Sequence, residues 1–589
     1  MSYPDEELIK DIKDLALKHA VLNALKHQGK ADVKAVIGKV FSENPKLKDH
    51  RSLVLNLVQE AVSQVNAMAY EEISVLASRL GLEVGGKRVE LKKVLPPLPN
   101  ADKYPRIKVR FAPNPDSAMH IGNARAAILN DEYAKMYGGT YLLRFEDTSP
   151  SIKPPLYDPK RGIDAYQMIR EDLSWLGVKW HEEVIQSDRL EIYYRYAEKL
   201  IEDGSAYVCT CSPDQWRILV KASQPCPCRE LPTEDHLERW KNMLEGRYKP
   251  GEAVVRIKTD LTHPNPAVRD WPALRIDLKP HPRKGSKYRV WPLYNFAAAI
   301  DDHELGITHI LRGKEHEINT IRQRYLYAHL GWQYPEVIHY GRLKIEGGVL
   351  SKSKIRNGVE KGIYIGWDDP RLGTLKALRR RGFLPESIRQ MIIDVGVKPV
   401  EATISWDNLC AINRKLLDPL ANRFFFVEEP VKLTIKNAPI GFSVEIPYHP
   451  SFPDRGIRRF SIPSAEITFL VSSKDKGLLR PGSRLRLMHL FNVQVNESLS
   501  EDEYVGSFIS FDVEEAKRLS LPIIHWVYER ESVKAQILMP AEDKMILHGF
   551  CEKSCIELKP NSLVQFVRFG FCRIEEVSES LIKAVFAHD

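Results

Sequence analysis

Three groups of residues in this chain have types and spacings that could do chemistry. His120, Gly122 and Asn123 close the stretch IKVRFAPNPDSAMHIGNAR, residues 107–125. Imidazole and carboxamide are neutral hydrogen-bond donors, and a glycine lets the backbone come close to a bulky ligand such as adenine or ribose. Cys209, Cys211, Cys226 and Cys228 form two C-x-C pairs separated by fourteen residues. Four soft thiolates joined by two short turns suit tetrahedral zinc, although four unremarkable thiols would read the same way. GGVLSKSKI, residues 347–355, is a glycine-rich loop in which Lys352 carries a compact charge on a long stem toward phosphate. Most lysine- and serine-rich loops are only solvated surface, and what raises this one is its position about 230 residues after His120.

The elements that must position these groups show in the apolar pattern. Ile107, Val109 and Phe111 alternate as a strand does, and Pro113 and Pro115 stop it because neither can donate to a ladder. From His120 onward, Ile121, Ala124, Ala127, Ile128 and Tyr133 predict a helix. A strand feeding a turn and a helix N-terminus leaves amides without partners, which makes an anion site. Residues 140–145 predict a second strand ending in Glu146, and residues 159–177 a helix. Gln186 to Arg189 opens another helix, with Ser187 or Asp188 as cap. Such alternation argues for a parallel sheet with crossover helices. Ligands of these sheets sit beyond the carboxyl ends of the strands, where Arg110 to Asn123 and Glu146 fall.

Around this centre the chain divides. Residues 5 to 85 predict three or four helices from Leu8, Ile12, Leu15, Ala16, Leu53, Leu57, Val58 and Val62. Four prolines in KVLPPLPNADKYP, residues 93–105, read as a stiff linker. Residues 229–290 are mixed, with basic points at His281, Arg283, Lys284 and Lys287; helix–strand character resumes over 291–316, and 370–420 is helical. From Val431 onward, strand signals broken by Pro and Gly every eight to twelve residues suggest β-barrels.

A length of 589 residues suggests roughly three to five domains. A content of 43% hydrophobic and 28% charged residues is that of a soluble globular protein. No apolar run approaches a membrane span, and the acidic N-terminus is not a secretory signal, so no membrane partner is expected. Eight cysteines, four in one short segment, argue against a disulfide scaffold and for a cytoplasmic setting. A net charge of +8 and a pI near 8.8 permit a polyanionic partner without proving one.

RIKVRFAPNPDSAMHIGNAR, residues 106–125, resembles the HIGH signature of class I aminoacyl-tRNA synthetases, in the form R-F-A-P-x-P-x-G-x-x-H-I-G-H carried by glutamyl and glutaminyl members. Asn123 stands where that motif has its last His, and Ser117 where it has a Gly. GGVLSKSKI resembles the KMSKS loop, with Leu350, Ser351, Lys352 and Ser353 at its last four places and Val349 at its first. WDDPR (367–371), LRRRGF (378–383) and VQFVRFGF (564–571) resemble the glutaminyl-type branch, in which two β-barrels read the anticodon. With Arg312, the pattern resembles the archaeal-type glutamyl members of that branch.

The resemblance implies a multidomain α/β plus all-β architecture. An N-terminal helical appendage (1–92) and a linker (93–105) precede a Rossmann-type catalytic fold in two halves, 106–205 and 291–345. An acceptor-stem-binding insertion, 206–290, splits that fold and carries the zinc knuckle. The KMSKS-like loop and a helical stem-contact region take 346–430, and two anticodon-binding β-barrels take 431–589.

It also implies ATP, with Mg²⁺, as a substrate. His120 and Lys352 are then the catalytic donors to its phosphates, with Gly122, Asn123, Glu315 and Ser351 as further ATP contacts. Arg110 matches the arginine that meets the substrate carboxylate, Glu146 the acid that receives the α-amino group, and Tyr294 the pocket tyrosine. Arg312 sits where glutamyl enzymes keep arginine and glutaminyl enzymes keep a small uncharged residue. The implied reaction is activation of L-glutamate to glutamyl-adenylate and transfer to the terminal ribose of tRNA(Glu), with tRNA(Gln) left open. The alternatives are a glutaminyl enzyme, against which Arg312 argues, and a small HIGH-type adenylyltransferase, against which the long chain and its barrels argue. A non-catalytic synthetase-like RNA-binding protein is the third. A monomer is expected, with N-terminal helices that bind a protein or tRNA.

Overall fold

The computed structural model describes residues 6–27, 29–80, 82–84, 87–88, 95–346, 352–541 and 545–589. They fall into two compact units, Met1–Val94 and Leu95–Asp589. In the first, the helices Glu6–Lys26, Val33–Glu43, Arg51–Asn66 and Tyr70–Arg79 enclose a core of their own built on Ile12, Ala16, Val36, Val40, Val54 and Val58. Asp32 starts the second of these helices by accepting the Ala35 N–H.

The second unit is organised by parallel strands. Lys108–Phe111, Thr140–Phe145 and Glu182–Ile185 form one parallel sheet with 140–145 in its middle. His309–Gly313 and Glu336–Tyr340 form a parallel pair. Thr308 joins the two groups: its N–H donates to Lys108 O (3.0 Å), and its Oγ1 accepts the Lys108 N–H (2.9 Å). The strand order is therefore 182–185, 140–145, 108–111, 309–313, 336–340. Connections run in opposite directions from the centre, so a switch point lies between 108–111 and 309–313, where doubly wound sheets bind their ligands.

The proline-rich segment reads from the sequence as a stiff linker. From Leu95 on it is strapped to this core. Leu95 and Leu98 are buried, Pro96 O accepts the Tyr133 hydroxyl (2.9 Å), and the Leu98 N–H donates to Tyr137 (2.9 Å).

Between the two halves lies an antiparallel sheet of four strands, Ala206–Cys209, Val254–Ile257, Pro272–Ile276 and Val290–Pro292, covered by the helix Thr233–Glu245. Trp240, Trp271 and Trp291 fill its core. Beyond the fold, helices Lys352–Glu360, Leu375–Arg381, Pro385–Val395 and Trp406–Leu417 lead to two barrel-like sheets of seven strands.

The strand region begins at Asn422, earlier than the Val431 read from sequence. Asn422–Phe424 and Phe426–Glu428 are the two outer members of the sheet otherwise made by 533–588. The other sheet is built from 430–528. No helix among the described residues is long and apolar enough to cross a membrane.

Candidate active site

His120 is the N-cap of the helix Ile121–Met136. Its Nδ1 accepts the Gly122 N–H (3.0 Å), and Asn123 Oδ1 accepts the His120 N–H (3.4 Å), a reciprocal capping box. A neutral imidazole that accepts at Nδ1 carries its proton on Nε2, so the cap fixes the tautomer as a donor. The Asn123 carboxamide thus reaches back to the cap. Gly122 serves the same ring: a Cβ at this position would lie 2.8 Å from His120 Cε1 and 2.9 Å from Nδ1.

The turn before the helix is held from two sides. Met119 N–H donates to buried Asp172 Oδ2 (3.2 Å), and Met119 O accepts the Leu375 N–H (2.9 Å). Ile121 N–H donates to Gly373 O (3.2 Å).

At the strand ends lies a buried charge network. Asp302 accepts from Arg110 Nε (3.0 Å) and from Arg144 Nη1 (2.7 Å), while Arg144 Nη2 donates to Glu146 Oε1 (3.0 Å). Burial raises the Asp302 carboxyl, but the two guanidiniums overcome it and hold it below the usual range. Burial dominates at Glu146 and lifts it above that range, although Arg144 and Arg110 pull it back. Tyr294 opens the helix Tyr294–Glu304, and burial also raises its phenol.

Arg312, in strand His309–Gly313, is surrounded by neutral groups. Nη1 donates to Gln323 Oε1 (3.0 Å), and Nη2 to the Tyr334 hydroxyl (2.9 Å) and to Thr320 Oγ1. Among the described residues no carboxylate forms an ion pair with it. Burial and the nearby Arg312 charge push His316 down to about 4, so it too is neutral near pH 7.

One cleft of about 1210 Å³ is lined by Arg110, His120, Gly122, Asn123, Glu146, Tyr294, Arg312 and Glu315. It therefore presents a polarised donor at a helix start, a carboxylate, and a guanidinium that has no ion-pair partner among the described residues.

The family model for the catalytic domain of class I tRNA synthetases of the E and Q type matches residues 106–419. Two models for the anticodon-binding domain of the same family match 421–514 and 523–575. The chain belongs to this synthetase family. It is similar to proteins named glutamate–tRNA ligase from Pyrococcus horikoshii, 54% identical over 98% of this chain and 100% of the relative, and from Thermococcus kodakarensis, 52% identical over the same shares. The counterpart in Methanopyrus kandleri is 44% identical over 98% and 100%.

The second signature of the synthetase lies largely outside the described residues. Residues 347–351, Ser351 included, are not described, and of Lys352 only its place at the start of helix Lys352–Glu360 is. That helix is anchored beside the first signature. Ile355 packs with Leu372 and Ala377, on either side of the Gly373–Thr374 segment that bridges to Ile121 and His120.

The four cysteines converge as their spacing suggested, with all Sγ atoms within 4.8 Å of one another. Cys209 and Cys226 Sγ are 3.8 Å apart, and Cys211 and Cys228 Sγ 3.9 Å. Four sulfurs about 2.3 Å from a central zinc would be separated by about 3.8 Å, so the donor set fits that ion.

Sequence reasoning missed Arg144, Asp302 and Asp172. Arg144 stands in a strand of six buried residues, and Asp302 in a helix that buries an Asn-Phe-Ala-Ala-Ala-Ile run. A charge inside an otherwise apolar element was the available signal.

Proposed function

We propose that the synthetase activates L-glutamate with ATP and transfers it to tRNA(Glu). The carrying observation is Arg312, a buried guanidinium with only neutral partners, opening on the cleft that holds His120. A carboxylate side chain pairs with such a fork through charge-assisted bonds, whereas the amide of glutamine leaves it imperfectly matched. In this reading Arg110 takes the α-carboxylate and Glu146 the α-ammonium group, with Tyr294 as the pocket tyrosine. The naming of the relatives as glutamate–tRNA ligases supports this reading.

Attack of the substrate carboxylate on the α-phosphate of ATP builds negative charge that needs aimed donors rather than an enzyme nucleophile. His120 Nε2–H is one donor and Lys352 the other, with Gly122, Asn123, Glu315 and Ser351 as remaining nucleotide contacts and Mg²⁺ entering with ATP. Cys209, Cys211, Cys226 and Cys228 hold a structural zinc ion. The protein works as a cytoplasmic monomer, its β-sheets recognise the anticodon, and tRNA(Gln) is a second acceptor to be tried.

Side-by-side charging of purified tRNA(Glu) and tRNA(Gln), each with glutamate and with glutamine, tests the reading. Arg312→Cys is expected to lower kcat/KM for glutamate by about 10²–10⁴-fold. An unchanged glutamate-to-glutamine ratio in that variant would remove Arg312 as the discriminator.

A further inference from the structure

Arg312 stays uncompensated because its partners are built to hold it without cancelling it. Gln323 is the central one. It is fully buried, and its Oε1 accepts from both Arg312 Nη1 (3.0 Å) and the Tyr334 hydroxyl (2.7 Å). Two donors aimed at one end of the amide identify that end as the oxygen. The other end, Nε2, is buried with no hydrogen-bond partner among the described residues.

An unpartnered buried NH₂ group costs stability, and glutamate would occupy the same volume without it. A carboxylate would also pair with Arg312 internally and satisfy it. Two titratable groups that hydrogen-bond within this cradle, Tyr334 and His339, are also uncharged. Burial pushes Tyr334 up to about 12, and burial together with Arg312 keeps His339 below its usual range, so both are uncharged near pH 7.

We propose that Gln323 is a specificity-determining residue: as an amide it fixes the Arg312 fork while leaving its charge for the substrate, so the cleft demands an anionic side chain. This rests on the reading that glutamate is the substrate, and assigns the selectivity to a neutral cradle as much as to the arginine. Gln323 acts through Arg312 and is a positioning residue rather than a catalytic one.

The test measures KM and kcat for glutamate and for glutamine in tRNA charging by the full chain, Gln323→Glu and Gln323→Met, with ATP binding and thermal melting recorded for each. Gln323→Glu is expected to lower kcat/KM for glutamate by about 10²-fold, mostly through KM, while the value for glutamine moves less than about tenfold. Gln323→Met loses the acceptor but adds no charge, and is expected to keep the preference for glutamate with a smaller loss. A selective native chain whose Gln323→Glu variant keeps the same ratio overturns the inference alone. So does a Gln323→Met variant that shifts the ratio as far, because packing rather than charge would then be responsible. A native chain that charges glutamine as readily as glutamate overturns the glutamate assignment itself, and this inference with it.

Discussion

Asp172 accepts the Met119 backbone N–H at 3.2 Å, which puts a buried carboxyl directly behind the residue that precedes His120. Burial lifts this acid from 3.8 to about 7, even though the Met119 N–H and Lys376 favour its charged form. The folded protein thus binds a proton that the unfolded chain releases near 4. The stability contributed by the protonated form is complete below about 4 and is lost as pH rises through 7. Asp172→Asn keeps an oxygen for Met119 and cannot ionise. Its advantage over the native chain is expected to grow between pH 4 and 8, to an upper bound of roughly 4 kcal/mol. Thermal melts at several pH values read this, and parallel curves for the two proteins would rule it out.

Gly122→Ala puts a methyl against the His120 ring, 2.8 Å from Cε1. The imidazole must leave its cap, and its Nε2–H loses its aim. A fall in kcat of about 10²–10³-fold is expected, with little change in KM for glutamate. Alanine's better helix propensity offsets part of the lost cap, so stability should move by less than about 1 kcal/mol. Pre-steady-state adenylate formation is the measurement; a native rate would mean that the ring position does not govern the chemistry.

Asp302→Asn removes the carboxylate that Arg110 and Arg144 share, and leaves Glu146 and the charge of Asp301 to offset two buried cations. Breaking a buried pair in this way typically costs about 3–5 kcal/mol. Denaturant unfolding should show that loss in the transition of the catalytic unit, together with weaker glutamate binding. Full native stability would show that the guanidiniums are held by something else.

Purified protein should contain about one equivalent of zinc, and Cys226→Ser should not. Chelator treatment should expose four titratable thiols in the 206–290 insertion and increase its susceptibility to proteolysis. Metal-free protein with native protease resistance would leave the cysteines as ordinary thiols.

The family, the divided catalytic fold and the barrel-like sheets were legible because each leaves a local trace: a strand, a turn and a capped helix at 107–136, four cysteines in twenty residues, period-two patterns after 431. The supports of the site were not. Arg144 and Asp302 are 158 residues apart in sequence and meet only when the sheet is assembled. Asn422–Phe424 and Phe426–Glu428 are three residues each, too short for alternation to show. The prolines of 96–105 read as a stiff linker because the neighbouring leucines, Leu95 and Leu98, gave no periodic signal of their own to show that they are buried.

The outermost strands of the last sheet have a consequence for biosynthesis. Residues 422–428 leave the ribosome well before 533–588, yet their strand ladders are made with that later segment, while Phe425 and Val427 also pack into the core of the 430–528 sheet and the Arg423 N–H donates to Tyr448 O (2.7 Å). One domain is thus nested in the sequence of another, and the emerging polypeptide carries two strands without their ladder partners until 533–588 has been made.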